Sequence, residues 1–237
     1  MTSNSTYEIK FKAKTIQLAL FMKSTPFVSS PIKFANEFIE KINFLNVSPT
    51  VLPIPNDAAQ DIPRIILKSA DNRDSCSISM SRLDLILTLD GLEFGDIDEV
   101  VMPKTNQILE FLSVHNVDIN RVGVILTLES EDIETVTGSE YIRNNFIKDN
   151  KLSSPKELSI RFINGTSIHS IDSNIVLSVG QKGSGIDLNE KVVMFQLDIN
   201  TSPELRETKI FSLAESKDFI SGALGKIVSI IKQFPNI

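Results

Sequence analysis

The sequence predicts an α+β fold, a mostly antiparallel sheet with helices packed on one face, and three observations carry that expectation. Apolar residues alternate along short stretches that arrive in threes, joined by polar turns too short for a parallel crossover. Each set of three is followed by a stretch of helical periodicity. The order strand, helix, three strands, helix over residues 8–116 returns over residues 119–236. A two-fold repeat of a β-α-β-β-β-α unit is one reading of that order, and the common habit of α+β chains is the other. The halves, 1–117 and 118–237, read as one compact unit.

In chain order, Ile9, Phe11 and Ala13 alternate, then the parity switches to Ile16, Leu18, Leu20 and Met22. One extra residue near Lys14-Thr15 does this, so a bulged strand is expected. Ser30-Pro31 is a helix start, since serine caps free amides and proline suits the first helical position. Ile32, Ala35, Phe38, Ile39 and Ile42 supply its apolar stripe. The prolines between Ser48 and Asn56 predict a surface loop.

Ile65–Leu67, Cys76–Met80 and Leu83–Leu89 then read as strands, with turns at Asp71–Asp74 and Asp90-Gly91. The next helix is expected from Pro103, because proline biases Met102 away from helix. In the second half, Val122–Leu128 is a strand and Ser139–Asp149 a helix capped by Ser139. Leu158–Phe162 is a strand, and Asn164-Gly165 predicts a two-residue hairpin turn. Ile168, Ile171, Ile175, Leu177 and Val179 lie beyond it.

The chain closes on its strongest pair of elements. Val193, Phe195, Leu197 and Ile199 face one way on a strand, while Met194, Gln196, Asp198 and Asn200 face the other. Ser212-Leu213-Ala214-Glu215 has capping-box form. The helix it opens carries Leu213, Ile220, Ala223, Leu224, Ile227, Val228, Ile230, Ile231 and Phe234 on one broad stripe.

Composition bounds the function. The chain has 237 residues, 41% hydrophobic and 23% charged, with a formal charge of -6. That balance is globular, and it disfavours nucleic acid, whose binding needs clustered Lys and Arg. One cysteine, Cys76, leaves no internal disulfide, and the N-terminus carries no apolar signal region. A cytoplasmic location with no membrane association is the expectation.

Pro63–Ser69, Pro103, Asn120-Arg121-Val122-Gly123-Val124 and Leu197-Asp198-Ile199-Asn200 together resemble a sporadically distributed prokaryotic family of uncharacterised proteins. The resemblance spans most of the chain through short motifs. An Arg-Tyr pair and an Asn expected after Gly123 are replaced by Ile125-Leu126 and Thr127. The resemblance implies architecture and lends no catalytic residues.

The search for chemistry turns up little. His115 ends a predicted helix, where a histidine serves as a dipole or capping contact. His169 falls on a hairpin strand. One cysteine and two histidines do not make an ordinary zinc site, so no metal and no cofactor are expected. Cys76 alternates with Ile78 and Met80 as a buried hydrophobe. Gly180–Gly185 is followed by a strand, whereas phosphate loops are followed by a helix. Ser167, His169 and Asp172 are neighbours on one strand and do not converge as a triad. Asp84 and Asp90 lie on polar parity, and Asp198 is the one acid placed to become a buried site.

Two functions follow as expectations. The first is a non-enzymatic interaction or accessory protein that binds another protein through a sheet edge or loop, the partner being encoded by a neighbouring gene. A defence or toxin-neutralising setting fits the sporadic distribution, and homodimerisation through a strand edge is compatible with it. The alternative is an enzyme or small-ligand-binding module with a carboxylate-lined pocket near Asp198.

Overall fold

The computed structural model describes residues 10–25, 27, 30–131, 133, 137–147, 158–181 and 192–233. Nine strands form one antiparallel sheet: β1 Phe11–Met22, β2 Thr50–Val51, β3 Ile65–Lys68, β4 Ser75–Ile78, β5 Arg82–Thr88, β6 Ile119–Ser130, β7 Ser159–Ile168, β8 Ile171–Gln181 and β9 Val193–Thr201. The helices are α1 Pro31–Lys41, α2 Ile97–Val114, α3 Gly138–Phe146 and α4 Leu213–Ile231. The spatial order is β2-β3-β4-β5-β1-β6-β9-β8-β7. The two halves therefore share one sheet, joined where β1 pairs with β6. Outward from that seam, one half runs β1-β5-β4-β3 and the other β6-β9-β8-β7.

Alternation decides which face is dry. Leu83, Leu85 and Leu87 on β5, Ile16, Leu18 and Leu20 on β1, Val122, Val124 and Leu126 on β6, and Phe195, Leu197 and Ile199 on β9 are all buried under the helices. The predicted bulge is present: the β1–β6 register shifts between Ala13 and Thr15. That shift keeps both ends of a twelve-residue strand facing the core.

Helix α4 lies across β6 and β9 and against α2. Ser212 and Glu215 form the predicted reciprocal cap. Phe219, outside the stripe the sequence predicts, is fully buried on α4, and Phe234 lies outside the described residues. On α1, Ser30 caps Lys33 as expected, but Ile32 is 63% exposed and Phe34 takes its place in the core. Phe34 packs with Phe38 and Phe111, joining α1 to α2.

Four further expectations are corrected. Helix α2 begins at Ile97 and runs through Pro103, because Ile97 and Val101 extend its buried stripe by a turn and more. Proline removes one helical hydrogen bond there, and the added burial offsets it. Helix α3 is capped by Thr137 in a capping box with Glu140; Ser139 is inside the helix and its hydroxyl donates to Gln181 Oε1 at 2.6 Å. The predicted end of α3 at Asp149 lies outside the described residues. Within the proline-rich loop, Thr50 and Val51 pair with Ile66 and Ile65 as a two-residue edge strand.

The fourth concerns the last hairpin. Asn164 and Gly165 lie inside β7, opposite Ile175 and Asn174, and the turn is His169-Ser170. Both turn residues have positive φ, 47° and 65°, the backbone of a tight hairpin turn. Turning there gives β7 and β8 ten paired positions and sets Ile168 and Ile171, both buried, at the tip.

Candidate functional site

Among the described residues the four helices leave the opposite face of the sheet open, and register fixes its side chains in rows. One row runs Asp84, Ala19, Gly123, Asn200, Asn174; the next runs Ile86, Gln17, Ile125, Asp198, Val176, Ile163. Ala19 and Gly123 form a floor of small residues between two polar walls. A Cβ added at Gly123 would sit 3.5 Å from the Asn200 Cβ and 3.9 Å from Asp198 Oδ1, which is ordinary contact.

Asp198, the sequence's one candidate site residue, stands in the row beside this floor. Its neighbours across the strands are Ile125 and Val176, and such apolar flanks remove water from the carboxylate. Burial pushes its pKa up; the Asn200 amide, which donates to Oδ1 at 2.9 Å, and the charge of Arg121 pull the other way. Arg121 Nη2 in turn donates to Asn200 Oδ1 at 3.0 Å. On the facing wall, Asp84 accepts from Gln17 Nε2 at 2.7 Å and Arg82 Nε at 2.9 Å. Asp84 is thereby tied up, and Asp90 lies apart, paired with Lys14 at 3.2 Å.

The remaining candidates are scattered. His115 follows the last turn of α2, where its ring meets those of Phe34 and Phe111 and Nε2 stands 3.6 Å from Glu37. It borders a groove of about 510 Å³ between α1 and α2. His169 occupies the β7–β8 turn rather than a strand. Cys76 is fully buried, and burial, with the charge of Asp84, raises its thiol pKa well above the ordinary value. Ser167 and Asp172 pair across the hairpin beside His169. Gly180 belongs to β8, and the rest of its glycine-rich loop lies outside the described residues. Among the described residues no group of three or more His, Cys, Asp and Glu is placed to hold a metal.

The sheet's two edges differ sharply. Strand β2 is two residues long and runs into Pro53 and Pro55, a blunted edge. Strand β7 is ten residues long, contains no proline, and carries Arg161 as its one Lys, Arg, Asp or Glu. It pairs with β8 on one side, and no described strand pairs with the other. Phe162 on the helix face and Ile163 on the open face are 47% and 56% exposed. An edge of this kind is a template for a further strand.

Fold and surface together define a two-layer α+β protein in which, among the described residues, one sheet face is open and one edge is unpaired. No helix among the described residues is long and apolar enough to cross a membrane. No protein-family model matches the chain, and no curated protein matches it.

Proposed function

We propose that this protein is not an enzyme and acts by binding another protein, an extended segment of which adds to the free edge of β7. The observation that carries the reading is the contrast between the two edges, one blunted by prolines and the other long, nearly uncharged and flanked by exposed Phe162 and Ile163. Main-chain hydrogen bonds would supply affinity, and the two apolar side chains would supply grip on both faces. We place the protein in the cytoplasm as an accessory component, in a defence or toxin-neutralising system, with its partner encoded by an adjacent gene.

The test is co-expression with the products of the adjacent genes. A specific complex that is lost when Phe162 and Ile163 are both changed to Lys supports the proposal. A clean absence of complex with every neighbour, or a complex indifferent to the double change, defeats it. Light scattering on the purified chain distinguishes strand addition by a partner from β7 pairing between two copies.

A second reading is supported by the half-buried, pKa-raised carboxylate of Asp198 beside the Ala19-Gly123 floor. That reading is a small-ligand module or enzyme centred on Asp198. It offers an acid, an amide and a guanidinium linked in series, with no nucleophile beside them among the described residues.

A further inference from the structure

Phe21, near the end of β1 on the open face, is ringed by guanidinium groups. The Cζ atoms of Arg82, Arg121 and Arg206 stand 4.9, 5.1 and 5.8 Å from its ring centre. Arg82 and Arg121 flank Phe21 in one cross-strand row, and Arg206 reaches it from the short 3-10 turn Pro203–Leu205 that follows β9. Each contact with the ring is favourable, but three like charges around one ring repel one another unless anions offset them.

The anions at hand do not close on all three. Arg82 is paired with Asp84, its Nη2 2.6 Å from Oδ1. Among the described residues Arg121 donates only to Asn200, and its Nε is shielded from solvent without an acceptor there. Arg206 is exposed; its backbone carbonyl accepts from Asn120 Nδ2, while its guanidinium has neither an ion pair nor a hydrogen bond among the described residues. Asp198 and Glu204 lie near enough to favour the charged form of Arg121, yet neither is ion-paired with it. Burial, then the charges of Arg206 and Arg82, oppose them. Three guanidiniums thus converge on one ring with Asp84, Asp198 and Glu204 nearby, and among the described residues only Arg82 is closed by an ion pair.

We propose that Arg121 and Arg206 bind a small phosphate-type dianion at the edge of the Phe21 ring, with Arg82 as a third charge held in place by Asp84. Guanidinium forks suit the tetrahedral oxygens of such a group, and a dianion offers each fork its own oxygens, which one carboxylate does not. The site is independent of what β7 binds.

Titration calorimetry and thermal unfolding with inorganic phosphate, against chloride at equal ionic strength, test it. The wild-type chain is expected to bind phosphate saturably and to gain Tm. Arg206→Gln, at the surface and so expected to fold with only a small loss of stability, is expected to weaken binding about tenfold or more. Lys226→Gln, on the helix side, is expected to leave it unchanged. Phosphate acting no differently from chloride, or Arg206→Gln binding as well as wild type, would overturn the proposal. So would a single-stranded oligonucleotide binding far more tightly than phosphate, since a nucleic-acid surface would then be the better description.

Discussion

Gly222 on α4 faces His169 at the tip of the β7–β8 hairpin so closely that a Cβ at position 222 would lie 2.8 Å from the imidazole Nε2 and 2.5 Å from Ile168 Cγ2. The last helix is thereby keyed to the last hairpin. Alanine at 222 would gain about 1 kcal/mol of helix propensity, but overpacking costs about 1–3 kcal/mol. Gly222→Ala is expected to lower the urea midpoint of unfolding. Adding His169→Ala is expected to restore part of the loss, because it removes two of the three closest contacts.

The same turn has a residue-type mismatch. His169 and Ser170 both hold positive φ, where Asn and Gly are at ease. Replacing the pair by Asn-Gly is expected to stabilise the chain by about 1 kcal/mol, read from the same midpoint.

Asp198 sets a pH dependence of definite sign. Its folded pKa is raised by burial, so the folded chain binds the proton more tightly than the unfolded chain. Its ionisation therefore costs stability as pH rises from the ordinary carboxylate value, 3.8, through the raised one. Asp198→Asn is expected to be more stable than wild type at pH 7. That advantage is expected to shrink as pH falls through this window, checked by urea unfolding across it.

Glu215 carries the opposite sign. Its bond from the Ser212 amide, then those from Lys209 and the Ser212 hydroxyl, hold its pKa down to about 2. The stability it lends is present above its ordinary value of 4.5 and is lost as pH falls towards about 2. The group is exposed, so solvent screening keeps the contribution small. Ser212→Ala, which removes the forward half of the cap, is expected to cost about 1 kcal/mol at neutral pH.

Cys76 is fully buried between β3 and β5 with a thiol pKa well above the ordinary value. Thiol reagents are expected to label it only as fast as the chain unfolds globally. Rapid labelling under native conditions would show a separate opening of that part of the sheet.

Strands were legible where one face is dry, since Leu83, Leu85, Leu87 and Phe195, Leu197, Ile199 alternate without interruption. Caps are legible at Ser30 from the proline that follows it and at Ser212 from Glu215 three residues on. The last hairpin was not. Asn164-Gly165 has the stronger turn chemistry, yet the turn sits at His169-Ser170, where β8 can pair along β9 and the tip can dock at Gly222. Pro103 likewise lost to the burial of Ile97 and Val101. Parity alone marks Asp198 in the sequence, but its half-burial comes from Ile125 and Val176, which only register brings beside it. The arginines about Phe21 were invisible for the same reason, coming from three separate stretches of chain.

Hydrogen exchange along β7, in the free chain and in complex with its partner, tests strand addition most directly. The outward amides of Ser159–Ile168 are expected to exchange quickly in the free chain and to become protected in the complex. Unchanged β7 exchange in a stable complex would contradict it and move the interface elsewhere.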